Sequence, residues 1–431
     1  MSGVRRNLKV GVSGVRGIVG ETLSPALAAD FAASFGGFSG RGVVIVGRDT
    51  RPSGVMIENA VAAGLLASGA HVLLAGIVPT PTLQIVVSHY DAAGAVAITA
   101  SHNPAEWNAL KFIDSSAFFL TENGMGALLD SYNQPQDDFV EESAYRGIGT
   151  LEDAFRIHAD RIRAKIDTDA IRRVRLRVAV DCGNGVGALY SRPFLESLGC
   201  EVVSIFDEAD GGFRRPPEPV AANLTELRET VTANGCAVGF AQDPDGDRIS
   251  IVDETGTALG EQYSTLIPAL RVLERSPGAV VANIQTTKAL GDLAARFGMP
   301  LFYSKVGEVN VAEEMRARGY AIGGEQSGHV IFLHHSPTGD GELTAGKLLK
   351  LLARKHREEG TKMSELNAVY TKFPQVLINL TADKEQKQAY KEDEYIAGFI
   401  ESQQQNLMGM GRVLVRVSGT EPKIRVMVEG E

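Results

Sequence analysis

The sequence predicts an α/β fold made of three related units and a smaller C-terminal domain. Apolar strand-like runs alternate with helical stretches along the chain, which is typical of α/β architecture. A pattern of apolar strand, polar turn and helical stretch recurs in "GVVIVGRDT", "LRVAVDCGNG" and "AVVANIQTT". The length of 431 residues is too great for one hydrophobic core and suggests roughly three domains.

The first strong helix is predicted in "LSPALAADFAASFGGF". Ser24 can cap this helix, Pro25 suits its first turn, and Gly36-Gly37 is expected to end it. A second and then a third strand follow each recurring pattern, and the third strand runs into a polar loop. The three loops are "ASHNP", "QDPDGDR" and "EQSGH".

These loops are expected at equivalent strand ends, because strands and loops come in the same order in each unit. The spacing is irregular, so chance likeness among α/β segments stays open as the alternative. Four domains are predicted, with boundaries at 1–148, 149–253, 254–366 and 367–431. The last is short, and its apolar runs "QVLINL", "RVLVRVS" and "IRVMVE" predict a small sheet.

Charge and composition exclude several classes of protein. The chain has 43 basic and 53 acidic residues, for a net charge of −10, which argues against nucleic acid or an anionic membrane as the main partner. Its three cysteines have no metal-ligand spacing and indicate a reducing compartment. The N-terminus lacks the apolar segment of a signal peptide, and no apolar run approaches the ~20 residues of a membrane span. We therefore expect a cytoplasmic protein.

The stretch "DPDGDR" predicts a metal site. Asp243, Asp245 and Asp247 alternate with Pro and Gly, so three carboxylates can converge on a hard cation such as Mg²⁺. A helix–loop–helix calcium site is rejected, because Arg248 stands where that loop needs glycine and both flanks resemble strands. An acidic turn without metal is the alternative, although it would crowd like charges together.

Ser101, in "TASHNP", is the candidate nucleophile. No G-x-S-x-G elbow surrounds it, and a hydroxyl near a divalent metal suits phosphoryl transfer better than acyl transfer. His102 could be a general acid, and Lys111 could be buried with a lowered pKa and serve as acid or base. Taken alone, a Ser-His pair in a loop is more often a turn former than a catalyst, and such a lysine more often extends to solvent.

Two further loops offer groups that could bind a sugar phosphate. In "GGEQSGH", side chains that can hydrogen-bond sugar hydroxyls are those of Glu325, Ser327 and His329. In "RVSGTEPKIRV", groups that can wrap an anion come from Arg416, Ser418, Gly419, Thr420 and Arg425. Weaker single signals are Arg16 in "SGVRG" and Lys305 in "KVGE". Each loop alone could be an ordinary polar turn.

Together, "TASHNP", "DPDGDR", "GEQSGH" and "SGTEPKIRV" resemble the α-D-phosphohexomutase superfamily in order and spacing over essentially the whole chain. The resemblance implies three related α/β domains with mixed sheets and a smaller α+β C-terminal domain around a central cleft. The four predicted domains would carry, in order, the phosphoserine, metal-binding, sugar-binding and phosphate-binding loops.

The resemblance also implies a mechanism. Ser101 would carry a catalytic phosphate and complete a Mg²⁺ site with Asp243, Asp245 and Asp247. The phosphoryl group would pass to a hexose monophosphate through a bisphosphorylated sugar, which also serves as activator. Arg16, Lys111 and Arg248 would surround that group, with Lys111 as general base and His102 close by. The resemblance further implies that Lys305 and the two loops named above bind the sugar and its other phosphate.

The chain departs from the family pattern at two positions. Ala109 stands where the family commonly has glycine and could move Lys111, and Val417 stands where a proline is usual. The form "GEQSGH", with Gln326, resembles the phosphoglucosamine mutase branch, so interconversion of glucosamine 6-phosphate and glucosamine 1-phosphate is favoured. A phosphomannomutase/phosphoglucomutase acting on mannose or glucose phosphates is the alternative.

Other classes of function stay open at this point. A phosphatase could use the same serine and metal, and a sugar-phosphate-binding relative could have lost turnover. The expected partner is a small-molecule sugar phosphate, with no nucleic acid and no membrane. The sequence leaves open whether the chain forms a homodimer.

Overall fold

The chain is described by a computed structural model at residues 8–134, 140–141, 144–275, 278–369, 373–418 and 422–430. The first unit is built around a seven-stranded sheet with the order β1-β2-β6-β5-β3-β4-β7. Its elements are β1 (Lys9–Gly11), β2 (Gly14–Ile18), α1 (Pro25–Phe38), β3 (Val43–Arg48), α2 (Gly54–Ala67), β4 (His71–Ile77), α3 (Thr80–Tyr90), β5 (Gly94–Ile98), β6 (Trp107–Asp114), α4 (Glu122–Tyr132) and β7 (Ile148–Thr150).

Helix α1 begins as its sequence predicts but does not end there. Ser24 Oγ accepts a hydrogen bond from Leu27 N at 3.2 Å, and Pro25 occupies the first turn. The expectation that Gly36-Gly37 ends the helix is wrong, since α1 continues to Phe38. Gly36 serves close packing instead, because a Cβ at this position would collide with the side chain of Ser68 at the end of α2.

The second unit has a four-stranded sheet with the order β11-β10-β8-β9. Its elements are α5 (Ala154–Arg163), α6 (Thr168–Val174), β8 (Arg177–Asp181), α7 (Gly187–Ser197), β9 (Glu201–Ile205), a short 3₁₀ helix (Ala221–Asn223), α8 (Thr225–Ala233), β10 (Val238–Gln242) and β11 (Ile249–Asp253).

The third unit has a four-stranded sheet with the order β13-β12-β14-β15. Its elements are α9 (Tyr263–Arg275), β12 (Val280–Asn283), α10 (Lys288–Arg296), β13 (Leu301–Ser304), α11 (Glu308–Arg318), β14 (Ile322–Glu325), β15 (His329–Phe332), α12 (Gly341–Glu359), α13 (Met363–Leu366) and a 3₁₀ turn (Asn367–Val369).

The last unit is a small α+β domain. Its sheet has the order β16-β18-β17 and is entirely antiparallel. Its elements are β16 (Gln375–Thr381), α14 (Lys384–Glu392), α15 (Glu394–Asn406), β17 (Gly411–Val417) and β18 (Lys423–Gly430).

The three α/β units share one strand arrangement, which confirms the recurring pattern in the sequence. In each, a first strand (β3, β8 or β12) lies parallel to a second and a third strand, and a fourth strand pairs antiparallel with the third. The three polar loops all connect the third strand to the fourth, as β5–β6, β10–β11 and β14–β15. The fold therefore presents them as equivalent loops.

The second and third units share one hydrophobic core that includes residues of helices α5, α9 and α12. Separate cores lie on the two faces of the first sheet. Among the described residues, no helix combines the length and apolarity needed to cross a membrane.

Candidate active site

The three equivalent loops form one polar centre, in which Ser101 lies against the second loop and the second against the third. Its Oγ donates a hydrogen bond of 2.8 Å to Asp243 Oδ2, from the first unit to the second. The backbones of Arg248 and His329 form an isolated antiparallel β-bridge, and Ile249 N donates to Gly328 O at 3.1 Å. The second and third loops are therefore joined by backbone hydrogen bonds. Chain segments 142 positions apart, such as those of Ser101 and Asp243, thus form one polar centre.

The loop of Ser101 is held in a left-handed backbone conformation. Ser101 has φ +49°, which is uncommon for a residue with a side chain. Its backbone N–H donates to Thr99 Oγ1 at 2.9 Å, and its carbonyl accepts from Arg51 Nη2 at 2.6 Å. Thr99 Oγ1 in turn donates to Asp49 Oδ2 at 2.7 Å. This network keeps a strained turn in one geometry.

Arg51 is the centre of that network and was not singled out from the sequence. It is 1% exposed, its Nε donates to Asp49 Oδ2 at 3.0 Å, and its guanidinium donates to four backbone carbonyls of the loop. These are the carbonyls of Ser101, Asn103, Pro104 and Trp107. The sequence places Arg51 at the end of "GRDTR", directly after a predicted strand. Only the fold shows that this arginine reaches the loop of Ser101.

The three predicted metal-binding carboxylates converge. One oxygen from each of Asp243, Asp245 and Asp247 lies within 4.8 Å of the others, and all three residues are buried. Burial, followed by the neighbouring carboxylates, raises the pKa of Asp243 well above its usual range. Burial likewise raises the pKa of Asp247, whereas the Lys111 ammonium lowers that of Asp245 despite burial. The neighbouring cations therefore stabilise the charge of Asp245 but do not offset burial at Asp243 and Asp247.

Two buried oxygens support the fit of a cation here. Within the described part of the chain, neither Asp245 Oδ1 nor Asp247 Oδ1 has a hydrogen-bond partner. A buried carboxylate oxygen without a partner is costly, and an all-oxygen set of this kind is what Mg²⁺ prefers. The residues present therefore fit the predicted ion.

Lys111 reaches this centre, but the expected lowering of its pKa is wrong. Its Nζ lies 3.2 Å from Asp245 Oδ2 and 3.5 Å from Asp247 Oδ2. Glu308, at 3.8 Å, adds a third carboxylate. Burial disfavours the ammonium, but these carboxylates outweigh it and raise the pKa of Lys111 above its usual value. In this arrangement Lys111 is a buried positive charge.

The departure at Ala109 leaves Lys111 in place. Ala109 lies inside strand β6, where it pairs with Arg16, and not in a turn. A regular strand sends residues 109 and 111 to the same face, so the side chain of Lys111 still enters the cleft. The effect of Val417 is not tested, because the turn after Ser418 lies outside the described residues.

His102 and Arg16 flank the nucleophile. His102 Nδ1 lies 3.4 Å from Ser101 Oγ. The positive charge of Arg248, followed by burial and the charge of Arg16, lowers the pKa of His102 well below its usual value. Arg16 Nη1 donates to Asn103 Oδ1 at 2.6 Å, beside the Ser101 turn. Arg248 Nε lies 3.8 Å from Asp247 Oδ1 and completes a cationic rim.

The third loop supplies the predicted sugar-binding groups. Glu325 Oε1 accepts from Asn283 Nδ2 at 2.6 Å and from Gly307 N at 2.8 Å. Ser327 Oγ is buried and has no hydrogen-bond partner among the described residues. His329 Nε2 lies 2.8 Å from Glu308 Oε2, which makes Glu308 a further site residue that was not singled out. Lys305 lies just after β13 and is exposed.

Gln326 belongs to a hydrogen-bonded amide cluster. Its Oε1 accepts from Asn283 Nδ2 at 2.8 Å, and the same nitrogen holds Glu325 Oε1. Its Nε2 donates to Gln285 Oε1 at 3.4 Å. The side chain thus positions Glu325 through Asn283.

Two arginines of the predicted phosphate loop face each other across strands β17 and β18. Arg416 pairs directly with Arg425, so both side chains emerge from the same face of the sheet. Ser418 ends this strand pair, and its carbonyl accepts from Lys387 Nζ at 2.9 Å. The predicted residues Gly419 and Thr420 lie outside the described residues.

Comparison with protein families gives four matches along the chain. The phosphoglucomutase/phosphomannomutase α/β/α domains I, II and III match residues 7–138, 156–256 and 260–373, and the C-terminal domain matches residues 377–431. The predicted boundaries between domains remain predictions, since these matches do not define where one domain ends.

Curated relatives match over almost the whole chain. A phosphoglucosamine mutase of Thermoanaerobacter pseudethanolicus is 36% identical over 437 residues, covering 98% of this chain and 94% of the relative. A phosphoglucosamine mutase of Clostridium tetani is 35% identical over 431 residues, with the same coverage of 98% and 94%.

Solved structures share the fold. A phosphoglucomutase/phosphomannomutase family protein from Burkholderia thailandensis has a TM-score of 0.82 at 25% identity, covering 97% of this chain and 92% of that protein. An N-acetylphosphoglucosamine mutase from Aspergillus fumigatus, solved with GlcNAc-6P and magnesium, has a TM-score of 0.63 at 17% identity, covering 98% and 92%.

Proposed function

We propose that this chain, which belongs to the phosphoglucomutase/phosphomannomutase family, interconverts glucosamine 6-phosphate and glucosamine 1-phosphate. It is an isomerase of the phosphohexomutase type. The observation that carries the proposal is the contact between Ser101 Oγ and Asp243 Oδ2, which sets a nucleophilic hydroxyl against a carboxylate cluster suited to Mg²⁺. Full-length relatives named phosphoglucosamine mutase support the amino sugar.

Ser101 is proposed as the phosphoryl carrier. It gives its phosphoryl group to the free hydroxyl of the hexose phosphate, so that the bond from phosphorus to Ser101 Oγ breaks as the bond to the sugar oxygen forms. The hydroxyl proton leaves to a base in the cleft. After the bisphosphorylated sugar turns in the cleft, Ser101 Oγ takes back the other phosphoryl group, as the bond from that phosphorus to the sugar oxygen breaks. The sugar oxygen takes up the proton, which restores the enzyme and yields the isomeric monophosphate.

Asp243, Asp245 and Asp247, with Ser101, are the residues that would hold Mg²⁺. The bound ion would neutralise negative charge on the phosphoryl group during transfer. Lys111, Arg16 and Arg248 contribute positive charge around the same position. His102, beside Ser101 Oγ, is placed to hydrogen-bond or take up the proton.

Groups away from Ser101 hold the rest of the substrate. Glu325 and Ser327, with His329 next to them, are proposed to bind sugar hydroxyls. Arg416 and Arg425, which share one face of the sheet, are proposed to bind the phosphate that is not reacting, because guanidinium groups donate charge-assisted hydrogen bonds to phosphate. Ser418, Gly419 and Thr420 are proposed to complete that site. Lys305, exposed just after β13, is proposed to contact the substrate as well.

A direct comparison of substrates tests the proposal. Purified protein with Mg²⁺ and a trace of bisphosphorylated sugar would be assayed for kcat/KM on glucosamine, glucose and mannose phosphates. A clear lead for glucosamine phosphate supports the proposal. Equal or higher values on mannose and glucose phosphates would assign the chain to phosphomannomutase/phosphoglucomutase activity, and steady release of inorganic phosphate would indicate a phosphatase. A cytoplasmic location remains a prediction.

A further inference from the structure

Among the described residues, one cluster of metal-ligating side chains lies outside the Ser101 centre and has no role in the mechanism above. His158 in α5, His335 after β15 and Asp340 before α12 are 0%, 4% and 1% exposed. One candidate ligand atom from each lies within 4.8 Å of the others. The cluster sits where the first, second and third units meet.

Two distances define the cluster. His158 Nε2 lies 2.8 Å from Asp340 Oδ2, and His335 Nε2 lies 3.4 Å from the same oxygen. Two imidazole nitrogens therefore converge on one carboxylate oxygen. Zinc binds nitrogen and oxygen at about 2 Å, so two neighbouring ligand atoms on a zinc ion lie about 3 Å apart. The two distances in this cluster are close to that separation.

Other contacts orient the ligand atoms. Thr82 Oγ1 lies 2.8 Å from His158 Nδ1, so the other ring nitrogen of His158 is the one that faces the cluster. Asp340 Oδ1 accepts from Leu343 N at 2.9 Å as the cap of α12, which leaves Oδ2 for the histidines. Hydrogen bonds that fix a ligand through its second polar atom are typical of metal sites.

His335 provides a separate argument for a ligand. Although this side chain is almost fully buried, neither of its ring nitrogens has a hydrogen-bond partner among the residues that the structure describes. An imidazole buried in this way costs free energy, because both nitrogens lose their water contacts. A hydrogen bond between His158 and Asp340 alone would leave that cost uncompensated, whereas a cation shared by all three side chains would give His335 Nε2 a partner.

We propose that His158, His335 and Asp340 bind one divalent transition-metal ion of the zinc class. Two imidazoles and one carboxylate form a ligand set that zinc prefers, whereas the all-carboxylate loop at Ser101 suits magnesium. The ion joins α5 to the start of α12. Through Thr82 it also supports α3, whose Thr80 donates to Asp245 Oδ2 at 2.8 Å. The role is structural, and it does not depend on which sugar the enzyme uses.

Metal content tests the proposal directly. Metal would be removed from the full chain with a chelator. The protein would then be dialysed against zinc in a large excess of Mg²⁺, so that Mg²⁺ occupies the carboxylate loop. The zinc that remains bound would be measured by mass spectrometry. We expect one equivalent in the unaltered protein, none in His335→Asn, and one in His334→Asn, which changes the adjacent exposed histidine. Less than a tenth of an equivalent in the unaltered protein, or full retention in His335→Asn, would overturn the proposal.

Cobalt binding can be measured on the unaltered protein, so this test does not depend on whether a variant folds. Co²⁺ bound to two histidines and a carboxylate in a four-coordinate site absorbs visible light much more strongly than Co²⁺ in an all-oxygen six-coordinate site. The unaltered protein with excess Mg²⁺ should show the strong band with one equivalent of Co²⁺ and lose it when zinc is added. It should also melt at a higher temperature with zinc than after chelation. A weak band and an unchanged melting temperature would contradict the site.

Discussion

Arg51 Nη2 donates a hydrogen bond of 2.6 Å to the carbonyl oxygen of Ser101, across 50 positions of sequence. The same guanidinium reaches three further carbonyls of the loop, and its Nε pairs with Asp49 at 3.0 Å. Arg51 therefore acts as a positioning residue that keeps Ser101 at a positive φ with its hydroxyl directed to Asp243.

Replacing Arg51 with lysine should lower activity through misplacement of Ser101. A lysine keeps the charge but cannot donate to several carbonyls at once as the planar guanidinium does. Since a displacement of about 1 Å at a reacting atom can cost about 100-fold, we expect kcat/KM to fall by roughly that factor. Circular dichroism should show the fold retained. Arg41→Lys, at an exposed position, should leave kcat/KM unchanged, and full activity in Arg51→Lys would rule out the positioning role.

Ser101→Ala should abolish mutase turnover, with a loss on the order of 10⁴-fold or more, because the variant has no atom to carry the phosphoryl group. Intact mass spectrometry after incubation with bisphosphorylated sugar should show one phosphoryl adduct on the unaltered protein and on Ser115→Ala, an exposed neighbouring serine. The adduct should be missing from Ser101→Ala. An adduct that persists there would place the carrier at another residue.

Asp243→Asn should weaken magnesium dependence. Loss of one anionic ligand lowers the affinity for the cation, and we expect the Mg²⁺ concentration for half-maximal activity to rise by at least about tenfold. Titration of activity with Mg²⁺ measures this shift. Asp169→Asn, which changes an exposed carboxylate, serves as the control. An unchanged Mg²⁺ requirement in Asp243→Asn would show that the ion binds elsewhere.

Gln326→Met should alter the preference between sugars. The substitution removes the hydrogen bonds to Asn283 and Gln285, so the amide that holds Glu325 loses one of its two acceptors. A change of one polar contact is worth roughly tenfold in discrimination, and we expect the ratio of kcat/KM for glucosamine phosphate to that for glucose phosphate to fall by about this amount. Gln134→Met, at an exposed site, should leave the ratio constant. An unchanged ratio in Gln326→Met would show that Gln326 does not determine the preference between the two sugars.

Lys347 should make stability depend on pH. Burial, followed by the charges of Lys350 and Lys165, lowers the pKa of Lys347 to about 8. The unfolded chain then binds more protons than the folded one between about pH 8 and the ordinary lysine pKa near 10.4, so the free energy of unfolding should rise with pH across that window.

Lys347→Met should therefore increase the free energy of unfolding at pH 7 by on the order of 1 kcal/mol, a figure reduced because solvent still reaches the amine. The gain should disappear near pH 10. Urea unfolding at both pH values provides the measurement, with the exposed Lys362→Met as the control. Equal stability of Lys347→Met and the unaltered protein at pH 7 would contradict the burial penalty.

Local sequence patterns were sufficient for the order of elements, the three repeated units and most of the site. Ser101 and the three aspartates lie in the loops after β5 and β10, and Glu325 is the last residue of β14. The equivalent positions of these strand ends follow from the order of strands alone. Helix α1 shows where such reasoning stops. A glycine pair such as Gly36-Gly37 is typical of a helix end in sequence. In the structure, Gly36 lets α2 pack closely against α1, and neighbouring residues in the sequence do not predict that contact.

Tertiary structure decided which charges face one another. The raised pKa of Lys111 arises because carboxylates from the second and third units surround it, and its neighbours in sequence predict the opposite shift. Arg51 reaches Ser101, and His158 meets His335 and Asp340, only because helices and loops from distant segments pack together. Electrostatic energies and hydrogen bonds depend on distances of a few ångströms, and such distances between remote segments are set by the packing of the whole chain.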